Sequence, residues 1–197
     1  MTDQFNFGPF PRLQTKRLML REITWNDIPA LYRLFSDPIV TRYNDVATFN
    51  SRHDAENLFH FLQDRYRRRV GIRWAVTLKG TPAAQLVGTC GYNIWSRHNN
   101  CGEIGYDLMR SYWNQGYITE AVEAILRFGF QQMALNRIEA DVMRDNLASR
   151  RVLEKLGFQL EGVLRQRGYW KGTYHDLYFY SLLHHDFYKD SAEAAAE

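Results

Sequence analysis

Strand-like and helix-like runs alternate through the middle of the chain, with pairs of strands on either side, an order that predicts a mixed α/β or α+β domain. Two observations support this. Apolar residues recur at helical spacing in several stretches, and the runs between them are short and rich in β-branched and aromatic residues. With 197 residues, 45% of them hydrophobic, the chain can bury one sizeable core. No internal repeat or Gly-, Ser- or Pro-rich linker divides it. One domain over residues 1–190 is expected, followed by an Ala/Glu-rich tail at 191–197 that should fray.

The elements follow in order. Residues 18–23 form a short strand. Thr24 and Asp27 have the spacing of a capping box, after which Ile28, Leu31, Tyr32 and Phe35 lay one helical face on the core. Asp37-Pro38 ends that helix, because proline disfavours a helical residue before it. Ser51 with Asp54 starts a second helix, striped by Ala55, Leu58, Phe59, Leu62 and Tyr66, with Gly71 just past its end. Runs at 73–78 and 86–92, separated by Lys79-Gly80-Thr81-Pro82, read as two strands joined by a turn. Residues 101–109 continue the same sheet. A long helix is marked by Val122, Ile125, Leu126, Gly129, Phe130 and Met133. A strand at 137–142, a helix at about 146–156 stopped by Gly157, and strands at 160–170 and 174–183 complete the domain.

Composition removes several function classes. Aromatic residues at 15% argue against disorder, and 25 Lys+Arg against 22 Asp+Glu leave a charge of +3, no nucleic-acid footprint by itself. The run from Arg65 to Arg69 reads as the cationic end of a helix, with a patch for an acidic partner as the alternative. Cys90 and Cys101 form no CxxC pair, so neither a disulfide framework nor a zinc site has support. No signal-peptide core or membrane-length apolar run occurs, and a cytoplasmic setting is expected. His53, His60, His98, His175, His184 and His185 match no ligand spacing, and the last two would face opposite sides of a strand. No metal is expected.

The segment from Glu103 to Ala121 carries the chemistry. A strand runs into a short loop, and a helix opens just after Gly116. Amides at such a junction have no partner within the helix, and with the positive end of its dipole they form an anion site suited to a pyrophosphate. Gly116 lets that backbone approach phosphate oxygens. A lone glycine also fits a plain tight turn. No GxxxxGK[ST] or GxGxxG occurs, which argues against ATP, GTP and NAD.

The run from Trp113 to Ile118 resembles the coenzyme-A-binding motif Q/R-x-x-G-x-G/A of the GNAT acetyltransferase superfamily, in the branch of the RimJ and RimL ribosomal-protein N-acetyltransferases. Residues 15–21, 35–38, 135–140, 146–158 and 174–176 resemble further segments of that branch in order, so the likeness spans about residues 12–187. It implies a three-layer fold with a central, mostly antiparallel twisted sheet of about seven strands flanked by helices. It also implies acetyl transfer from acetyl-CoA to a primary amine: the N-terminus of a ribosomal or other protein, or a small amine such as an antibiotic or polyamine. A non-catalytic acyl-CoA-binding regulator is the alternative, since Trp113 and Ile118 depart from the motif.

The resemblance also assigns roles. Leu108, Met109, Arg110, Asn114, Gln115, Gly116, Tyr117, Ile118, Thr119, Asn146 and Arg151 are expected to bind coenzyme A. The Leu108 and Met109 amides would pair with the pantetheine arm, and one of them could polarise the thioester carbonyl. A lysine amine has a pKa of roughly 10.4 and a terminal amine roughly 8, so the acceptor must shed a proton, usually to a carboxylate. Glu103 shares a strand face with Gly105 and Asp107 and is the expected base, although a solvent-facing glutamate fits the same pattern. Glu139 and Asp141 are weaker candidates. The family's usual tyrosine falls at Leu153 and its later carboxylate at Gly168, which leaves Ser149 as the expected proton donor. Asn146 should also cap its helix. Residues 43–49, the helix from Ser51 and the loop 96–100 should shape the acceptor pocket. The aromatic stretch 179–188 suits either a homodimer contact or core packing.

Overall fold

The computed structural model describes residues 8–80 and 85–193, the last four by their backbone alone. Eight strands are present: β1 (Leu13–Gln14), β2 (Leu18–Glu22), β3 (Ile72–Leu78), β4 (Leu86–Ser96), β5 (Cys101–Leu108), β6 (Arg137–Met143), β7 (Gln159–Trp170) and β8 (Thr173–Leu183). They form one sheet in the order β1-β2-β3-β4-β5-β6-β8-β7. Every adjacent pair is antiparallel except β5 and β6. The expected seven strands become eight because Leu13 and Gln14 pair with Leu20 and Met19. Two residues are too few to carry a readable period.

The helices are α1 (Ile28–Phe35), α2 (Arg52–Arg67), α3 (Tyr117–Gln131), α4 (Leu147–Lys155) and α5 (His184–Glu193). Local chemistry starts and stops most of them. The Asp27 carboxylate accepts the Thr24 amide at 2.8 Å and the Arg21 guanidinium at 2.7 and 2.8 Å, closing a short 3-10 turn ahead of α1. Asp54 accepts the amides of Asn50 and Ser51, each at 2.9 Å, where α2 begins. Gly157 ends α4 with a φ of +84°. The left-handed residue after α2 is Arg69, at φ +58°, not Gly71. Gly71 instead lies against β4, where a Cβ would come within 2.8 Å of the Tyr92 carbonyl. The cationic run does close a helix, with Arg68 3.6 Å from Asp64 and Arg65 donating to the Val70 carbonyl.

The chain's end differs from expectation. His184 and His185 open α5, so the strand geometry assumed for them does not apply. Phe187 packs on Phe130 with ring centroids 5.2 Å apart, so this part of the aromatic stretch serves the core. Residues 191–193 of the expected tail belong to α5; 194–197 lie outside the described residues, as do Thr81 and Pro82 of the β3–β4 turn.

The sheet lies between two helical layers. On one side α3, Leu153 of α4 and Phe187 of α5 join a core that includes Leu20, Trp74 and Ile138. On the other, α1 and Ala55 of α2 pack with Ala75 and Leu86. Burial of each large apolar side chain stabilises this sandwich by roughly 1.5–3 kcal/mol. Among the described residues no helix is long and apolar enough to cross a membrane. The feature that makes the site is at the parallel pair. β5 and β6 are in register only at Cys101–Arg137, Gly102–Ile138 and Glu103–Glu139. Beyond that point β5 continues to Leu108 and β6 to Met143 without pairing with each other, and a cleft opens between them.

Candidate active site

The loop between β5 and α3, where the anion site is expected, carries two left-handed residues. Asn114 (φ +58°) and Gly116 (φ +75°) flank Gln115, and left-handed residues of this kind are a feature of backbone nests that hold anions. A side chain at Gly116 would be strained at that φ. The Glu120 amide donates to the Gly116 carbonyl at 3.1 Å. The amides of Tyr117, Ile118 and Thr119, ahead of it, belong to the turn that a helix cannot satisfy from within. Ile118 and Tyr117 pack against the core, so the bulk at the departing motif position turns inward. Trp113 folds back and donates its indole N–H to the Leu108 carbonyl at 2.7 Å.

The two amides expected to face a thioester arm part company. Met109 donates to the Val87 carbonyl at 2.9 Å, so its amide is engaged within the sheet. That same bond makes Gly88 and Leu108 a non-hydrogen-bonded antiparallel pair. The Leu108 N–H therefore points away from β4, to the side that β6 has left. Arg110 sits 3.6 Å from Asp37. Arg151 is exposed on α4, while Arg150 turns to β8, donating to the Tyr180 hydroxyl at 3.2 Å. Gln115 donates its side-chain amide to the Ser111 carbonyl at 3.0 Å. Asn146 caps α4 by accepting the Ser149 amide at 3.2 Å.

A cavity of about 470 Å³ occupies the cleft. Glu103, Tyr106 and Asp107 line it from β5, Asp141 from β6, and Asn146 and Ser149 from the start of α4. Leu58 and Phe61 of α2, the segment 43–46, Ile94 and Trp170 close the far side. The loop 96–100, expected to shape it, is not among the lining residues. Trp170 takes part instead, from the β7–β8 hairpin, which reaches across so that Lys171 Nζ donates to the Thr41 carbonyl.

The carboxylates around this cavity divide by partner. Asp107 is engaged by Arg73 and by Asn44, the latter at 2.6 Å. Glu139 pairs with Arg137 at 2.6 Å. Glu103 is met by the neutral Asn93 amide, with no arginine ion-paired to it among the described residues. Burial, followed by the charge of Asp141, raises its pKa against a hydrogen bond from Asn93. Burial likewise raises Asp141, opposed by Arg167. Asp141 was ranked low from sequence, yet it faces the same cavity as Glu103. The parallel register Glu103–Glu139 puts both on one face, and two residues along β6 that face becomes Asp141.

Ser149 also has a companion that sequence did not suggest. The Tyr106 hydroxyl lies 2.8 Å from Ser149 Oγ, and Tyr106 reaches it from β5 across the mouth of the cleft. Burial raises the Tyr106 pKa, which keeps the phenol protonated. Gly168, where the family's later carboxylate would fall, is held small by Trp170, whose ring would lie 1.9 Å from a Cβ there. Among the described residues two buried side-chain polar atoms have no hydrogen-bond partner, Asp141 Oδ1 and Trp170 Nε1, and both residues line the cavity. Buried polar atoms are normally paired with protein or with solvent, and both of these face the cavity.

Comparison with known proteins agrees with this geometry. Residues 17–159 match the model of the acetyltransferase (GNAT) domain. The chain is 38% identical over 174 residues to the uncharacterized N-acetyltransferase YoaA of Bacillus subtilis (strain 168), covering 88% of this chain and 97% of that protein. A GNAT-family acetyltransferase from Bacillus anthracis superposes with a TM-score of 0.78 at 28% identity, over 89% of this chain and 99% of that one. RimL, a ribosomal-protein alpha-N-acetyltransferase solved in complex with coenzyme A, superposes with a TM-score of 0.79 at 21% identity, over 88% and 98% of the two chains, and so shares the fold. A cleft between two parting strands, an amide cradle at the head of α3 and a family match over most of the chain lead to one conclusion: the chain belongs to the GNAT acetyltransferases and is an acetyl-transferring enzyme.

Proposed function

We propose that this enzyme transfers the acetyl group of acetyl-CoA to a primary amine, with the thioester in the β5–β6 cleft and the amine entering from the α2 side. The observation that carries this is the two-sided cavity, with Glu103 and Asp141 towards the α2 side and the Tyr106–Ser149 pair at the head of α4. The donor set suits coenzyme A. Amides at 114–119 meet a diphosphate, and the Leu108 N–H offers a strand-type bond to the pantetheine.

In this reading Glu103 takes a proton from the ammonium group of the acceptor. The neutral nitrogen attacks the thioester carbon, a C–N bond forms and the C–S bond breaks. The acylated nitrogen sheds its second proton, and the departing thiolate receives one through the Ser149 hydroxyl, which gives up one proton and regains another while Tyr106 holds it in place. Burial keeps the Tyr106 phenol protonated, and its hydroxyl, 2.8 Å from Ser149 Oγ with either oxygen able to donate, fixes the serine side chain.

The acceptor we favour is the N-terminal amine of a protein, a ribosomal protein among the candidates, in keeping with the named activity of RimL. The half-exposed Phe61 and Ile94 at the cavity's edge offer apolar contact to residues that follow such an amine. Thiol release from acetyl-CoA, measured with peptides of free N-terminus against polyamines and aminoglycosides, tests this choice. Absence of thiol release with every one of these amines would favour a non-catalytic binder. With a confirmed acceptor, Glu103→Gln should lower kcat by about 10²–10⁴-fold and leave coenzyme A affinity unchanged. A loss of less than about threefold removes Glu103 as the base.

A further inference from the structure

Arg17 lies far in sequence from the cradle and yet holds it. Glu120 stands in the first turn of α3, where its charge would oppose an anion bound at the amides just ahead of it. Two residues engage that carboxylate. Thr15 Oγ1 donates to Glu120 Oε1 at 2.5 Å, the Arg17 amide donates to the same oxygen at 2.8 Å, and Arg17 Nε donates to Oε2 at 2.6 Å. Against the opposing effect of burial, these bonds hold the Glu120 carboxyl below its ordinary range, so it stays ionised and paired.

The rest of the guanidinium is spent on the loop itself. Arg17 Nη1 donates to the Gln115 carbonyl at 2.8 Å, and the guanidinium carbon sits 4.4 Å from the centre of the Tyr117 ring. Nη2 lies 3.4 Å from where a Cβ on Gly116 would stand. One side chain thus touches the residue before the left-handed glycine, the residue after it and the carboxylate behind it.

We propose that Arg17 is a positioning residue for the diphosphate of coenzyme A. It fixes the backbone from Asn114 to Tyr117 in its concave form and cancels the charge of Glu120 beside the bound anion. The proposal rests on the acetyl-CoA reading above and adds a residue to it. A lysine would keep the charge, but its single ammonium cannot meet the separate Nε and Nη1 partners as a planar fork does.

The test is calorimetric titration of the full chain with coenzyme A, and competition by pantetheine, which has no diphosphate. Arg17→Ala, Arg17→Lys and the double variant Arg17→Ala/Glu120→Gln are compared with the wild type, with thermal melting as the check on folding. Arg17→Ala should weaken coenzyme A binding by about tenfold or more while pantetheine affinity changes by less than about twofold. The double variant should recover part of the loss, because the exposed carboxylate is gone. If Arg17→Ala does not fold, Arg17→Lys carries the test, with a smaller loss confined to coenzyme A. Equal weakening of both ligands, or coenzyme A affinity held within about twofold, overturns the proposal. Wild-type protein that binds coenzyme A no better than pantetheine would instead overturn the diphosphate reading of the Gly116 loop, and the role of Arg17 with it.

Discussion

At the scale of single residues, the chemistry we propose turns on two carboxyls whose acidity is set by where they stand. Burial raises Glu103, and the neighbouring charge of Asp141 raises it further. A base must be ionised to accept a proton, so activity should climb with pH through the raised Glu103 pKa. Asp141→Asn removes the neighbouring charge and leaves burial in place. The acidic limb of kcat/KM should then move to lower pH, read from the full pH profile of the variant against wild type. An unmoved limb would mean the two carboxyls are not coupled. Asp141 also explains one gap in the sequence reading. A strand's period assigns its faces, but only the pairing of β5 with β6 says which carboxylates share a cavity.

At the scale of elements, α4 presents Ser149 from a first turn that is fastened at one point. The Asn146 side chain accepts the Ser149 amide, and Tyr106 grips the Ser149 hydroxyl from the sheet. Asn146→Ala should cost about 1 kcal/mol of stability in urea denaturation. It should also lower activity with a confirmed acceptor, since the bond that caps the helix also fixes the backbone of Ser149, the residue we propose to relay the proton. Elements of this kind were legible from sequence because their signals are local. The Thr24–Asp27 and Ser51–Asp54 spacings, Asn146 and Gly157 each act within a few residues of where they stand. Features decided by distant partners were not. The two-residue β1 exists only because β2 is beside it, and α5 packs an aromatic run whose period is too short to distinguish it from a strand. Trp170 enters the cavity from a hairpin that nothing in its own segment directs there.

At the scale of the whole molecule, the ionisable groups split by sign. Hydrogen bonds from Arg137 and Ser181 lower Glu161 to about 2, and against burial the Arg21 and Thr24 bonds together with the Arg21 charge lower Asp27. Their contributions are in place above the ordinary carboxyl range and fade as pH falls towards 2. Glu103 and Asp141 have raised pKa values, so they act the opposite way. The folded state holds their protons more tightly, and stability is lost as pH rises from the ordinary carboxyl range through their folded values. Glu103→Gln should therefore raise the melting temperature at pH 7 even as it lowers activity. That gain should shrink when melting is repeated at pH 4, where the wild-type carboxyl is largely protonated. An equal gain at both pH values would point to packing instead of charge.

Three residue pairs are all that join β5 to β6, so the sheet is two panels meeting at a short seam: β1 to β5 on one side, β6 to β8 on the other. The acetyl donor we propose would lie where that seam gives out and stitch the open edge of β5 with amides of its own. Hydrogen–deuterium exchange should then slow along the free end of β5, at Tyr106 and Leu108, when coenzyme A is added, and stay unchanged in the β7–β8 hairpin. Uniform slowing over both panels would mean that the ligand tightens the protein as one body and does not act at the seam.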